Sequence, residues 1–299
     1  MGGSEFRFIN SLMKFQNLSP RVVKGIGDDA AVLALDARRY QLFTTDMCVE
    51  GVHFIKDAPA RAVGWKAMAV NVSDIAAMGG LPTVAVVSIG IPKGLALSYV
   101  KNLYAGTHAC AKAFNVSIVG GDTVRADKLV INVALLGEVE KKYLVTRDGV
   151  KAGDRIFVTG PLGKSLCSGR HLDFTPCVKQ ARFLVEHFKP SAMMDISDGL
   201  AGDLRHILAA SGVGAVLDEE KIPRAAGATL TQALSDGEDF ELLFTLSSGK
   251  ARKLLEYSRR RNSLRFVEVG KVTAAPGKFL MKDVQGRLRP VAQKGFTHF

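Results

Sequence analysis

The segment from Pro59 to Ile91 leaves the chain little choice of architecture. Thr83-Val84-Ala85-Val86-Val87-Ser88-Ile89-Gly90-Ile91 is β-branched through most of its length, and such side chains suit a pleated surface. Pro59 fits the first turn of a preceding helix and Gly79-Gly80 its end, with Val63, Ala67, Val70, Ile75 and Met78 apolar between them. A further helix is predicted from about Leu95 to Phe114, and strands at Tyr40–Thr45, Val116–Val119 and Leu129–Val139. Residues 4 to 18 carry Phe6, Ile9, Leu12, Met13 and Phe15 at helical spacing. The alternation resumes later, with strands at Arg155–Thr159, Ala192–Met194, Leu242–Leu246 and Phe266–Val272. Helices fall at Val178–His187, from Leu200 to the Gly212 cap, and up to about Arg261, with a hairpin at Phe279–Leu288. The expected class is α/β, in an α+β layered arrangement. Between Glu140 and Asp154 the composition turns charged and turn-rich, which divides the chain into units of residues 1–139 and 140–299.

Both halves carry aspartates in stripped surroundings. Asp28 and Asp29 adjoin in Gly25-Ile26-Gly27-Asp28-Asp29-Ala30-Ala31. Adjacent carboxylates repel, so a folded site must give them cations or water. A solvated turn would explain this pair alone, but Asp46, Asp74, Asp122, Asp195 and Asp198 recur in similar settings. Asp46 and Asp122 are expected at strand ends, Asp122 behind a glycine pair that lets backbone approach a ligand. Asp74 has Val70, Asn71, Ala77 and Met78 as helical neighbours, which is poor company for a solvated carboxylate. Asp195 and Asp198 flank Ser197 before a helix, where capping would account for one of them. Ser235 to Glu241 is the last acidic loop.

Aspartates without a histidine or cysteine cluster favour hard cations, Mg²⁺ above all. His53, His108, His171, His187, His206 and His298 show no HxxxH or HxH pairing, which argues against zinc. No GxSxG elbow and no GxGxxG fingerprint is present, and Gly160-Pro161-Leu162-Gly163-Lys164-Ser165 is two residues short of a phosphate loop between its glycines. A net charge of +11 favours an anionic ligand. Nucleotide phosphates satisfy that better than nucleic acid, because aromatic residues are few and the Arg259-Arg260-Arg261 run reads as a helix end. The four cysteines lack metal-ligand spacing, no apolar run is long enough to span a membrane, and no signal peptide is evident, so a reducing cytoplasmic setting is expected. Together these features predict Mg²⁺-dependent chemistry on phosphates.

Seven segments then stand in one order: Gly25 to Ala31, Thr44-Thr45-Asp46, His53-Phe54, Asn71-Val72-Ser73-Asp74, Gly120-Gly121-Asp122-Thr123, Asp195 to Gly199, and Gly237 to Leu242. The series resembles that of the thiamine-monophosphate kinases, within the aminoimidazole ribonucleotide synthetase-like ATP-binding enzymes, over nearly the whole chain. The resemblance implies a two-domain fold of that type, a homodimer joined through its N-terminal sheets, and ATP in the cleft between domains. It implies Asp29, Thr45, Asp46, Asp74, Asp122, Asp195 and Asp198 as ligands of several Mg²⁺ ions. Gly121, Asp122, Arg147 and Ser197 would contact ATP, His53, Glu238 and Phe296 would surround thiamine monophosphate, and Asp46, Arg147 and Asp198 would act in catalysis. The implied reaction is direct γ-phosphoryl transfer to the substrate phosphate, giving thiamine diphosphate with no phosphoenzyme. The segment after Ser165 is shorter than the family pattern, and Cys177 stands where that pattern has arginine. A related synthetase and a non-catalytic nucleotide sensor are the alternatives.

Overall fold

The computed structural model describes residues 8–9, 11–16, 18–260, 264–292 and 295–296. Phe6, Arg261 and His298 lie outside them. The first sheet contains β1 (Val22–Lys24), β2 (Ala31–Ala34), β3 (Arg39–Val49), β4 (Leu81–Pro92), β5 (Ser117–Ala126) and β6 (Val130–Glu140) in the order β1-β2-β3-β6-β4-β5. Neighbours run antiparallel except the edge pair β4 and β5. Helices α1 (Ala60–Ala77) and α2 (Leu97–Ala113) cover one face. They approach closely because Gly64 faces the Leu103 carbonyl and Gly106 that of Arg61; a Cβ would sit 1.8 and 1.9 Å from those oxygens.

The second unit uses β7 (Arg155–Val158), α3 (Ser165–Ser168), α4 (Val178–His187), β8 (Ala192–Asp195), α5 (Leu200–Ser211), β9 (Gly214–Asp218), α6 (Leu230–Ser235), β10 (Leu242–Leu246), α7 (Ser248–Arg260), β11 (Val267–Thr273), β12 (Phe279–Lys282) and β13 (Leu288–Pro290). Its sheet order is β13-β12-β9-β11-β7-β10-β8, parallel only between β12 and β9. Helix α1 packs on the first sheet and also on α4 and β8. That double contact buries nearly every side of it from Val63 onward, the polar Lys66, Asn71 and Ser73 included. One core cluster accordingly joins Val63, Ile75 and Leu135 to Met193, Leu242 and Phe244 of the second unit.

Two expectations are corrected. The strand expected at 40–45 runs from Arg39 to Val49, so Asp46 lies inside it and not at its end. The strand expected at 116–119 runs through Gly120, Gly121 and Asp122 to Ala126. Gly121 pairs with Val87, and a Cβ there would stand 1.8 Å from the Val87 carbonyl. The glycine therefore lets β4 approach closely.

Candidate active site

Three chain segments deliver carboxylates to one point. Asp29 comes from the loop before β2, Asp74 from the last turn of α1, and Asp195 from the end of β8. Each offers an oxygen within 4.8 Å of the other two. The Thr44 hydroxyl donates to Asp74 at 2.6 Å, the Ser73 hydroxyl to Asp195 at 2.6 Å, and the Arg147 guanidinium to Asp29 at 2.7 Å. The other Asp29 oxygen is buried with no hydrogen-bond partner among the described residues. Asp46 lies beside Asp74 in the same lining and donates its backbone N–H to Asn71 Oδ1 at 3.0 Å.

Burial raises the carboxyl of Asp74 well above its ordinary range, and the charges of Asp46, Asp195 and Asp29 add to that. Asp195 is pushed up to about 8, first by burial and then by Asp29. Asp29 and Asp46 are raised by burial too, Arg147 pulling Asp29 back and the Asp74 side chain doing the same for Asp46. Carboxylates this close and this dry hold protons unless a cation replaces them. An all-oxygen donor set with an orphaned buried oxygen fits Mg²⁺, a hard cation that takes carboxylate ligands.

The adjacent pair divides. Asp28 is saturated by Lys24 Nζ at 2.6 Å and the Arg147 backbone N–H at 3.2 Å, whereas Asp29 turns to the cluster. Arg147 is drawn to both carboxylates, with Nε 3.8 Å from Asp28.

A cleft of about 230 Å³ opens beside the cluster, lined by Asp46, Asp74, Asp195, Ser197 and Asp198 at one end. His53, Lys66, Glu238 and Phe296 line it as well. The His53 ring accepts the Val49 N–H through Nδ1 at 3.1 Å. The backbone N–H of Phe296 donates to the Asp198 carbonyl at 2.9 Å, which seats the tail on the acidic loop. Thr45 lines a second hollow with Asp29 and Thr44, and Gly121 and Asp122 of β5 do not line the cleft. Alternation along β3 puts Thr44 and Asp46 inward and Thr45 outward, its hydroxyl donating to Asn132 Oδ1 and the Val133 carbonyl at 3.1 Å. Asn132 pairs with Ser88 and Ser88 with Asp122, so Thr45 and Asp122 share a polar row on the outer face of the first sheet. Asp122 is exposed there and accepts the Thr123 N–H at 2.8 Å. Gly121 precedes it on the same exposed edge strand.

Sequence reasoning missed Lys66, Thr44, Ser73 and Asp203. Asp203 is buried on the apolar face of α5 and accepts the Asp198 N–H at 3.1 Å. Burial, then the Asp198 charge, raises its carboxyl well above the ordinary range. Its helical neighbours Leu200, Leu204 and Ile207 carry the same signal that singled out Asp74.

Residues 27–139 match the family described as AIR synthase related protein, N-terminal domain, and residues 151–283 the corresponding C-terminal domain. A thiamine-monophosphate kinase of Bacillus subtilis is 34% identical over 325 residues, covering 99% of both chains. One from Rhodopirellula baltica is 37% identical over 299 residues, covering 93% of this chain and 92% of its own. The chain belongs to the thiamine-monophosphate kinase family. A solved structure, AaThiL complexed with AMPPCP and TMP, superposes with a TM-score of 0.84 at 33% identity over 99% of this chain and 97% of the other. The two-unit fold is thus that of the thiamine-monophosphate kinases, as the sequence led us to expect. Among the described residues no helix is long and apolar enough to cross a membrane.

Proposed function

We infer that this chain transfers the γ-phosphoryl group of ATP directly to thiamine monophosphate, yielding thiamine diphosphate and ADP, the last step of thiamine diphosphate synthesis. The observation that carries this reading is the buried cluster of Asp29, Asp74 and Asp195 opening on a cleft whose further lining is His53, Glu238 and Phe296. The acceptor phosphate is already anionic near neutral pH, so the task is to align two anions rather than to create a nucleophile. Asp29, Asp46, Asp74, Asp195 and Asp198 would hold Mg²⁺, which when bound offsets the charge of the two phosphates. Arg147, held on Asp29, puts a fixed cation beside them. Ser197 lies with Asp198 at the phosphate end of the cleft, and His53, Glu238 and Phe296 orient the acceptor. Burial of the carboxylates excludes water that would compete for the phosphoryl group.

We also propose a homodimer formed through the first sheet, with units dividing at residue 140. The outer face of that sheet exposes Phe43, Met47, Val86, Val119 and Val124 around the row that holds Thr45 and Asp122, and among the described residues β5 is an unpaired edge. A second copy seated there would cover the apolar residues and adjoin Gly121, Asp122 and Thr45; we keep Gly121 and Asp122 as ATP contacts and Thr45 and Asp122 as Mg²⁺ ligands. The cysteines are all free, which suits the reducing cytoplasm. The reaction is tested with purified protein, ATP, Mg²⁺ and thiamine monophosphate, following thiamine diphosphate by chromatography. ATP binding without that product would overturn the kinase reading in favour of a nucleotide sensor or a related synthetase.

A further inference from the structure

Helix α1 presents Lys66, Val70 and Asp74 to the cleft, each about one turn after the last. Its two polar ends lie about 12 Å apart along the helix axis. At one end stands the carboxylate cluster. At the other, Lys66 is 1% exposed, donates from Nζ to the His53 carbonyl at 2.8 Å, and forms an ion pair with Glu238. Fully buried lysines are rare unless paired, and this one pairs with two acceptor-side segments contributed by different halves of the chain.

Glu238 is itself held in an uncommon state. Its φ of 57° is left-handed, a region that side chains other than glycine seldom occupy. Its backbone N–H donates to the Ser197 carbonyl at 2.7 Å. Its carboxylate shares a cleft with Asp46, Asp198 and Asp236. In that company a carboxylate without a cation would turn away toward solvent. Lys66 supplies the cation, and Asp46 feels the same charge. We propose that Lys66 is a positioning residue for the acceptor, fixing Glu238 and the His53 turn in one geometry; this rests on the kinase reading above.

Docking of α1 to the second unit does not depend on that charge. The neighbouring Trp65 donates its indole N–H to the Phe174 carbonyl at 2.8 Å, and Phe174 stacks on Phe240 with ring centroids 4.2 Å apart. Ser73 reaches Asp195 farther along. A Lys66→Met protein therefore keeps its domain contacts while losing the cation.

The experiment is steady-state kinetics of wild type, Lys66→Met and Lys66→Arg, with thiamine monophosphate and ATP varied in turn. For Lys66→Met the KM for thiamine monophosphate should rise roughly ten- to a hundredfold, the size of a lost charge-assisted hydrogen bond. The KM for ATP should stay at the wild-type value and kcat should fall less. Lys66→Arg, which keeps the charge, should recover most of the loss. A lysine that merely supports the fold would lower Tm and leave both KM values alone or move them together, and that result overturns the proposal. Wild-type protein that makes no thiamine diphosphate instead brings down the kinase reading itself. Should Lys66→Met not fold, the cycle of Lys66→Gln with Glu238→Gln decides: effects on the acceptor KM that fail to add support coupling through Glu238, and full additivity overturns it.

Discussion

Two buried acidic regions lie in this molecule, and they are put together differently. In the second unit, Asp239 accepts the Gly163 N–H at 2.9 and 3.0 Å and pairs with Arg170, while Glu241 accepts the Thr159 hydroxyl at 2.6 Å and the Cys177 thiol. Each carboxylate finds its donors within the chain. At the cluster, Asp29, Asp74 and Asp195 face one another, with hydroxyls on two of them, Arg147 on the third, and one buried oxygen unmatched. Burial raises carboxyl groups in both places, Asp239 to about 7 and Asp195 to about 8. A raised pKa therefore does not distinguish a site from a structural network. What distinguishes them is whether the chain supplies the partners, because an acidic group left short of donors calls for a ligand.

Substitution by asparagine should separate the two most sharply. Asp74→Asn removes a carboxylate from the cluster and should lower kcat by about a thousandfold or more, the scale of lost metal-assisted charge stabilisation. Its Tm without Mg²⁺ should hold, since burial already pushes the metal-free carboxyl toward its neutral form and the amide replaces a neutral group. Asp239→Asn should do the reverse, costing about 2 kcal/mol of stability after allowance for the partly exposed Arg170, with activity kept wherever the protein stays folded. Unfolding melts and initial rates of both variants check this. Loss of activity without loss of stability in Asp239→Asn would erase the contrast.

Next in size is the response to pH. In the metal-free folded protein Asp195 keeps its proton up to about pH 8, whereas an ordinary aspartate releases it near 3.8. Between those limits the folded state binds more protons than the unfolded chain, so this group's contribution to stability falls as pH rises and is gone above the upper limit. Mg²⁺ must displace those protons to bind. The stabilisation by Mg²⁺ should accordingly grow from pH 6 to pH 8 and then level off, as followed by thermal melts across that series. A rise in Tm that ignores pH would mean the cluster is already ionised without metal.

Much of this was legible in the chain itself, for physical reasons. Helix α1 and strands β4 and β6 show in the sequence because their periodicities are strong. The helix at Val178–His187 falls where its pattern put it. Asp74 stood out because an aspartate among Val70, Ala77 and Met78 has no solvated explanation. Lys66 and Asp203 carried the same mark, but a long amphipathic side chain and a residue in the first helical turn both have ordinary readings that mask it. The ends of β3 and β5 were misplaced because cross-strand pairing extends a strand beyond what its own residues ask for. That extension also decides faces. Adjacent residues Thr44, Thr45 and Asp46 look alike as a motif, yet strand alternation sends the middle one to the other side of the sheet.

The smallest expected effect follows from that alternation. Among the described residues Thr45 hydrogen-bonds across its own sheet, to Asn132 and the Val133 carbonyl, on the outer face and in a hollow it shares with Asp29. Thr45→Val keeps the β-branched shape and removes an exposed hydroxyl, so stability should change by less than about 1 kcal/mol. If the inner cluster alone holds the metal, the Mg²⁺ concentration that gives half-maximal rate should match wild type. If the polar row shared with Asp122 joins the site once a second copy covers this face, the same variant should need several times more Mg²⁺ at unchanged Tm. Measuring that one titration decides whether the outer face of the first sheet, like its inner one, belongs to the phosphate chemistry.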